Sequence, residues 1–530
     1  MPFPKHPANR RDLLKGAVAA AGSAHLLNAT SAGATGADDP VVAGEPNLIT
    51  RENDNPGSTD WQLTRVRPDS RAPGLPQPRS PIRCSAIEGY CSRQSVRAGE
   101  SIDLLISTSP PSPFQIEIFR TGYYGGDGAR RMKTIGPLQG KSQAVPSRGD
   151  KHLRECQWEA TVTLEIPHDW ISGVYLGRLT TLRDSDSEAD PDGQNYWQSY
   201  VVFIVTDDRP ADILFQCSDN TWQAYNQWPL SDSVYTHPDG NQGPWADVSF
   251  DRPYGLYPQI FENPQTLGSG EWLCFEYPMA YWLEKHGYDV TYCSNSDMLT
   301  AERGKACKAF LSVGHDEYWD RRQFDSVVQM RDAGVSLLFL SGNSVCWVSP
   351  FRESMDGRKN RILFRGGPYG GDYKWATLRE KQHGPFPHRG PDEGYLIGAR
   401  NVDPVNGGGD WVCTAPEHWL YDGTGMQQGE RIPGLIGWEY HGDPPKDLAG
   451  LEIVAEGIAY QGGTNPQRWA ATIYPGPKQN FVFNASTIWW CQDLASPPGH
   501  MLPWSHYSRP HGPDRRVQQM THNLLRRAIG

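Results

Sequence analysis

The stretch AFLSVGHDEYWD, residues 309–320, places an imidazole and two carboxylates, among them His315 and Glu317, directly after an apolar run and a glycine. Such groups can move protons, bind a metal ion or orient a substrate. Two other apolar runs also end in polar side chains: DILFQC precedes SDNTWQAY, which contains Tyr225, and VSLLFL precedes SGN, which contains Asn343. Because ligands bind outside the carboxyl ends of parallel strands, we expect these side chains to form one site.

The motifs of nucleophilic hydrolases are absent at these strand ends. No GxSxG sequence follows a strand, and Gly-His-Asp stands where a glutamine amidotransferase would carry its nucleophilic Cys. An oxygen-rich metal site remains, in which a cation polarises a carbonyl or activates water. The spacing leaves two ligand sets open, and these are Tyr225, Tyr235 and Glu317, or His237, His315 and Glu317.

The elements that must position these residues follow two different patterns. From about residue 80 to 206, short alternating runs separated by Gly, Pro and Asp predict an antiparallel β-sandwich. Beyond DDRPAD, strand-like runs alternate with helical segments, which predicts an α/β domain with a mainly parallel, glutamine-amidotransferase-like sheet. We therefore predict a β-sandwich domain over 45–208 and an α/β metal-site domain over 209–530, with a Gly-, Pro- and Trp-rich insertion at about 345–475.

One predicted helix follows the histidine-carboxylate stretch directly. Its segment, RRQFDSVVQMRDAG, has Asp320 as the expected N-cap, Gln323 as the capping partner and Gly334 as the terminator. Asp316 is expected to cap the turn that leads into it. These local signals predict a helix that begins immediately beyond the candidate site.

Charge and the first residues indicate the compartment and exclude one class of partner. The 530-residue chain has a net charge of -11, which argues against a nucleic-acid partner. Arg10-Arg11, a weakly apolar run and small residues predict a twin-arginine export signal over 1–37, and hence a periplasmic or extracellular protein. No later stretch reaches the ~18 apolar residues that span a bilayer, so no transmembrane anchor is expected.

Several segments, taken in order, resemble a known family. TWQAYNQW, SVYTHPDG, EYPMAYWLEKHGYDVTYCSNSD, GHDEYWD and SGNSVCW are similar to the C-terminal domain of the N,N-dimethylformamidase large (beta) subunit, and IEIFRTGYYGG fits the β-sandwich that precedes it. The resemblance implies hydrolysis of an amide to formate and dimethylamine. It also implies one mononuclear ferric iron per chain, held by two tyrosines and one glutamate.

Carried over residue by residue, the resemblance assigns roles at this site. Glu317 matches the glutamate ligand, and Tyr225 and Tyr235 match the tyrosine ligands. Phenolate and carboxylate are hard anionic donors that suit Fe(III). His315 and Asn343 would orient the substrate, or hold a proton or water, beside the metal.

A further glutamate of the family acts as a base near the iron. Glu439, in GLIGWEYHGD, is the first choice for this residue, and Glu456 is the second.

The expected function is therefore an exported metal-dependent hydrolase of C–N amide bonds. Its expected partner is a small-molecule amide, and the chain is compatible with a homo-oligomer or a small partner subunit. Two alternatives stay open. One is a non-catalytic exported protein that binds glycan or a cell-surface polymer, and the other is a histidine-carboxylate hydrolase with zinc.

Overall fold

The computed structural model describes residues 46–69, 82–182, 196–230, 232–236, 246–257, 259–260, 263–383, 385–402 and 406–530. The predicted export signal over 1–37 lies outside these residues. None of the helices in the described ranges combines the length and the apolar character needed to span a bilayer.

Two sheets come from the first part of the described chain and share one apolar core. The antiparallel three-stranded sheet has the order Glu88–Cys91, Ser101–Ser107, Val162–Glu165. The five-stranded sheet has the order Ser95–Arg97, Gln198–Thr206, Gly173–Thr181, Pro113–Thr121, Ala129–Gln139, with its first pair parallel. Ile102 of one sheet and Ile118 of the other belong to the same buried cluster, so the association of the sheets removes apolar surface from water.

A nine-stranded mixed sheet occupies the second part of the chain. Its spatial order is Val290–Cys293, Ile213–Gln216, Ala309–His315, Ser336–Gly342, Phe481–Asn484, Asn465–Pro475, Glu452–Gln461, Gly407–Val412, Arg431–Trp438. The first five strands run parallel to one another, and the remaining pairings are antiparallel. Each of the strands Ala309–His315 and Ser336–Gly342 is buried along its whole length, as expected for parallel strands covered on both faces.

The prediction of a mainly parallel, glutamine-amidotransferase-like α/β domain is wrong. Most of the regular structure is β, in mixed and antiparallel sheets, with 31% strand against 21% helix. The strand-helix alternation that suggested a parallel sheet stops near residue 345, whereas the later strands return through short turns. Gly462 and Gly463, both with positive φ, connect Glu452–Gln461 to Asn465–Pro475, and such a turn forces antiparallel pairing.

Helices and small sheets complete the described structure. The α-helices are Leu48–Asn53, Asp219–Tyr225, Tyr277–Lys285, Glu302–Lys305, Arg321–Ala333, Lys374–His383, Gly394–Ile397 and Arg515–Ile529, and a π-helix covers Trp272–Glu276. Asp320 accepts a hydrogen bond from the Arg322 amide (2.8 Å), and Gly334 ends that helix with φ 110°. Gln323, predicted as the capping partner, instead donates to Gln216 Oε1 (2.8 Å).

One small sheet lies directly beyond two of the parallel strand ends. It pairs Tyr318–Trp319 with Trp347–Val348, which in turn pairs with Gly367–Pro368. The other short strands are Val248–Ser249, Phe351–Arg352 and Ile362–Leu363 in one sheet, and Arg400–Asn401 and His441–Gly442 in another. The sheet that contains Tyr318–Trp319 and Trp347–Val348 joins the segments that follow Ala309–His315 and Ser336–Gly342.

Candidate metal centre

The strand Ala309–His315 delivers two ionisable side chains into the interior. Gly314 has φ 68°, and a Cβ there would lie 2.6 Å from the Phe275 Cβ, so only glycine fits this position of the strand. His315 and Glu317, on either side of the bend that follows, are each 1% exposed. The prediction that Asp316 caps the turn is wrong, because its carboxylate accepts hydrogen bonds from buried neighbours inside the sheet, namely Gln216 Nε2 (2.7 Å) and Ser312 Oγ (2.8 Å).

Glu317 is the centre of a hydrogen-bonded cluster. Its Oε2 accepts from the Tyr225 hydroxyl (2.7 Å), and its Oε1 accepts from the Tyr235 hydroxyl (3.2 Å) and from Trp347 Nε1 (2.8 Å). The two tyrosine hydroxyls lie 2.8 Å apart. The backbone amide of Glu317 donates to Thr221 Oγ1 (3.0 Å), which orients the side chain toward this cluster. The structure thus brings together the three residues of the tyrosine-carboxylate ligand set.

His315 contacts three carboxylates from different parts of the chain. Its Nδ1 lies 3.1 Å from Glu271 Oε2, and its Nε2 lies 3.3 Å from both Glu317 Oε2 and Glu439 Oε2. Glu271 stands immediately before the π-helix and is 1% exposed. Since Glu271 can accept the Nδ1 proton, the Nε2 atom is directed toward the two other carboxylates.

Close backbone packing brings Asn343 and Glu439 to the same place. A Cβ at Gly342 would lie 2.2 Å from the Glu439 carbonyl oxygen and 2.6 Å from the Ile488 amide nitrogen. The next residue, Asn343, has φ 49° and is 6% exposed, while Glu439 is 4% exposed. Glu456, the second choice for the base, instead pairs with Arg468 (2.6 Å) on a partly exposed strand.

The electrostatics of the cluster favour a bound cation. Burial raises the pKa of the Tyr225 phenol well above its ordinary value, and Glu317 raises it further. Burial also raises the pKa of Glu439 and of Glu271. Burial opposes charge on His315, but Glu439 and Glu271 outweigh it and raise the pKa of the imidazole well above its ordinary range. Burial thus favours the neutral forms of these acidic groups, and a cation held among them would favour their ionised forms.

The donor atoms present fit such an ion. One donor atom each from His315, Glu317 and Glu439 lie within 4.8 Å of one another. His315 Nε2 and Glu439 Oε2 are buried and lie 3.3 Å apart, and neither makes a hydrogen bond of good geometry with the described residues. The hydroxyls of Tyr225 and Tyr235 donate to Glu317. Together with the Glu317 carboxylate they form a second donor set, which consists only of oxygen atoms. His237, the other ligand considered from the sequence, lies outside the described residues.

A cavity opens onto the cluster, and we call it the main cavity. Its volume is about 330 Å³. It is lined by Tyr225, Gln227, Ser233, Tyr235, Gln259, Glu317, Asn343, Cys346, Trp347, Arg365, Trp375, Arg379, Val402, Asn406, Trp438, Glu439 and His506. Tyr235 is 37% exposed and stands at the boundary between the cluster and the open side of the cavity. A small molecule can therefore reach Glu317, Glu439 and Asn343 together.

Sequence reasoning missed three members of this site. Glu271 follows no strand and belongs to no motif with obvious chemistry. Trp347 and Tyr318 lie inside the segments SGNSVCW and GHDEYWD but carry no distinctive signal for a ligand contact. Tyr318 donates to the Tyr235 hydroxyl (2.6 Å), so both aromatic residues support the cluster through their polar atoms.

Comparison with known proteins identifies one family. A sequence model described as N,N-dimethylformamidase beta subunit-like, C-terminal, matches residues 115–506. No curated protein matches this chain.

Two solved structures show only distant similarity. The cellulose-active LPMO CelS2 in complex with copper is 16% identical with a TM-score of 0.14, over 21% of this chain and 52% of that one. A family 123 glycoside hydrolase from Clostridium perfringens is 8% identical with a TM-score of 0.12, over 56% and 54%. The chain thus spans about half the length of each, and similarity this low says nothing about its function.

Proposed function

This chain belongs to the N,N-dimethylformamidase beta subunit-like family, and from that membership we propose that it is an exported, metal-dependent hydrolase of C–N amide bonds. The observation that carries the proposal is the convergence on Glu317 of Tyr225, Tyr235 and His315 at hydrogen-bonding or ion-pair distance. This cluster is reached from a cavity of about 330 Å³. A purely structural cluster would have no need of an opening that admits substrate.

We propose one ferric iron per chain, held by Tyr225, Tyr235 and Glu317. These hard anionic oxygen donors suit Fe(III) better than a softer metal. A cation at this position supplies Lewis acidity toward an amide carbonyl or a water molecule. The tyrosine hydroxyls already contact the Glu317 carboxylate, so the donors need little rearrangement to surround an ion.

The remaining residues of the cluster have distinct tasks in amide hydrolysis. Glu439, whose Oε2 lies 3.3 Å from His315 Nε2, accepts a proton from the attacking water. Asn343 donates from its amide to the carbonyl oxygen, where negative charge develops. His315, held by Glu271 at Nδ1 (3.1 Å), orients the reacting groups from Nε2. The water oxygen bonds to the carbonyl carbon, the C–N bond breaks, and the amine leaves with a proton.

A second donor set is favoured by one specific observation. His315, Glu317 and Glu439 place one donor atom each within 4.8 Å of one another, without counting the tyrosine hydroxyls. A histidine and two carboxylates suit zinc, which would leave the tyrosines as hydrogen-bond partners of Glu317. This alternative predicts a colourless metalloprotein, because no phenolate would be bound to the ion.

The location and assembly of the protein are part of the proposal. The paired arginines at 10 and 11 support export by the twin-arginine pathway to the periplasm or beyond. Because this pathway carries folded proteins, the metal can be loaded before export. A small partner subunit or a homo-oligomer is compatible with the chain.

Metal analysis of the purified protein, combined with its visible spectrum and an amide-hydrolysis assay, tests this function. We expect about one iron per chain, a phenolate-to-iron absorption band, and acid and amine released in equal amounts from N,N-dimethylformamide. Zinc in a colourless but active protein would favour the histidine-carboxylate set. A protein that takes up no metal on reconstitution and hydrolyses no amide would overturn the proposal.

A further inference from the structure

An arginine lies beside the main cavity on the face of a tryptophan. The Arg365 guanidinium carbon is 3.3 Å from the centroid of the Trp347 ring and 5.1 Å from that of Tyr235. Arg365 lines the main cavity, yet only 6% of it is exposed. Stacking on an aromatic face turns the edge of a guanidinium sideways, which is the geometry in which arginine binds planar anions.

The backbone beside Arg365 is tightly packed, which makes its position well defined. A Cβ at Gly366 would lie 2.8 Å from the Val348 carbonyl oxygen, and one at Gly367 would overlap the His388 carbonyl oxygen. Gly367–Pro368 also pairs with Trp347–Val348 in the small sheet. Arg365 is therefore anchored to the segment that supplies its stacking partner, as precise ligand recognition requires.

Trp347 contacts both Arg365 and the Glu317 cluster. The indole Nε1 donates to Glu317 Oε1 (2.8 Å) while the face of the same ring carries Arg365. The guanidinium is thus one indole ring away from the carboxylate at the centre of the site. A single small molecule can reach both.

The nearby helix adds further positive charge. Arg379, on Lys374–His383, lines the main cavity with its guanidinium 5.5 Å from the Trp375 ring centroid. Lys374 and Lys381 of this helix line a neighbouring cavity of about 490 Å³ that shares Trp375 and Val402 with the main one. Lys374 is paired with Asp443 (2.7 Å), and two aspartates also line this neighbouring cavity. The positive charge that faces an anion in the main cavity is therefore that of Arg365 and Arg379.

The negatively charged residues among the described lining of the main cavity belong to the Glu317 cluster. Among the described lining residues, the carboxylates are Glu317 and Glu439, and both lie 3.3 Å from His315 Nε2. A metal ion would offset their charge. The arginines instead belong to the wall that contains Trp347 and Trp375, so an anionic group is favoured there.

The size of the cavity supports a substrate larger than a solvent amide. Its volume of about 330 Å³ equals that of roughly ten water molecules in the liquid. N,N-dimethylformamide would fill only a small part of it. The space that remains extends past Arg365 and Arg379, which both line it.

We propose that the natural substrate is an amide that also carries a carboxylate, and that Arg365 binds this carboxylate while the C–N bond lies at the Glu317 cluster. The inference rests on the proposed amide hydrolysis and names its substrate class. Water adds its oxygen to the carbonyl carbon, the C–N bond breaks, and the nitrogen leaves with a proton. When the carboxylate lies on the nitrogen side, the products are a carboxylic acid and an amino acid.

Two probes of nearly the same shape test this specificity. N-formylsarcosine is N,N-dimethylformamide with a carboxylate on one methyl group, and N-formylsarcosine amide is its neutral counterpart. We expect the wild-type metalloprotein to have a higher kcat/KM for the anion than for the neutral amide. In Arg365→Met, this preference should fall by roughly 10- to 100-fold, the scale of losing a charge-assisted contact. Arg365→Lys should recover part of it, since charge is kept while the planar fork is lost.

A matched control is available elsewhere in the chain. Arg527 lies 4.6 Å from the Trp419 ring centroid and does not line the main cavity. Arg527→Met removes the same kind of stacked guanidinium and should leave the preference for the anion unchanged. If Arg365→Met does not fold, as judged by its thermal unfolding, Arg365→Lys should still lower the preference by several-fold.

The outcomes separate the inference from the function on which it rests. A wild-type preference for the neutral amide, or an equal preference in wild type and Arg365→Met, overturns the inference and leaves amide hydrolysis intact. Loss of the metal in Arg365→Met would assign the residue to support of the cluster and also overturn it. If neither probe is hydrolysed and the protein also takes up no metal, the proposed function fails. Calorimetric binding of N-formylsarcosine then decides the anion site, since binding that requires Arg365 supports it and no binding refutes it.

Discussion

Replacing Tyr225 with phenylalanine should remove the metal while leaving the protein folded. The side chain is 7% exposed, and its hydroxyl donates to Glu317 Oε2 (2.7 Å). The substitution deletes one of three anionic donors at nearly constant volume, so no cavity is created. The ring contacts with Tyr235 (5.0 Å) and His315 (4.9 Å) do not depend on the hydroxyl.

The magnitude follows from the hydrogen bonds of Glu317. A hydrogen bond to a charged group contributes roughly 1.5–3 kcal/mol. Glu317 would keep its contacts with Tyr235 and Trp347, so we expect the metal-free variant to lose only about 1–2 kcal/mol of unfolding free energy. Metal affinity should fall by roughly 10²-fold or more, because even outer partners of ligands contribute 10- to 100-fold.

The assay combines metal content, visible absorption and denaturant unfolding of the metal-free protein. Tyr257→Phe is the matched control, since Tyr257 is 6% exposed, lies 6.2 Å from the Tyr225 ring and donates to Gln259 Oε1 (2.7 Å). It should show a comparable stability loss and keep both metal and colour. If Tyr225→Phe keeps them equally well, Tyr225 is not a ligand.

Companion variants at the same cluster distinguish the two donor sets. Glu317→Ala should abolish metal binding under either set, because the carboxylate belongs to both. His315→Ala should keep the iron and impair turnover if the tyrosines are ligands. A His315→Ala protein without metal, together with a fully loaded Tyr225→Phe protein, would instead establish the histidine-carboxylate site.

Three further predictions address catalysis, stability and export. Asn343→Ala should keep the metal and lower kcat by roughly 10² to 10³, the scale of one lost donor. Asn343→Gly, in which glycine tolerates the backbone φ of 49°, should lower kcat by the same factor. Full activity in either variant would show that Asn343 does not donate to the carbonyl oxygen. Burial, with the charge of a nearby aspartate, raises the pKa of the Asp493 carboxyl to about 8, so the contribution of Asp493 to native stability should become less favourable as pH rises from about 4 to about 8. Asp493→Asn should therefore be more stable than wild type by roughly 2–5 kcal/mol at pH 8 and by little at pH 4, as measured by urea unfolding; a gain independent of pH would contradict this cause. Arg10→Lys with Arg11→Lys should retain the protein in the cytoplasm, because charge is kept but the guanidinium pair is lost, and unchanged export in cell fractionation would rule out the twin-arginine signal.

Local signals in the sequence located much of the candidate site. The helix Arg321–Ala333 begins and ends at the predicted Asp320 and Gly334, because capping depends on neighbouring residues. Glu317 and Asn343 lie just beyond two parallel strands, as their positions after apolar runs indicated, and Tyr225 lies at the end of the short helix Asp219–Tyr225 that follows a third. The family suggested by these segments is confirmed by the match over residues 115–506.

Other features depend on partners far away in the chain. Glu271 contacts His315 although 44 positions separate them in the sequence. The segment before the π-helix contains no sequence pattern that predicts this contact. The predicted parallel sheet was wrong because strand order is decided by pairing between distant segments. Asn465–Pro475 pairs with Phe481–Asn484 and so joins antiparallel strands to the parallel ones.

The sequence by itself determined which residue types follow each strand, where the main helix starts and stops, and which family the chain belongs to, because these properties are written in short, contiguous patterns. Only the tertiary structure decided that Glu439 rather than Glu456 meets His315, that Glu271 and Trp347 support the cluster, and that Arg365 lies one indole ring from Glu317. Each of these contacts joins segments whose approach depends on close packing, such as that of Gly342 against Glu439. The energy of such packing is shared among many distant residues, so no local pattern reveals it.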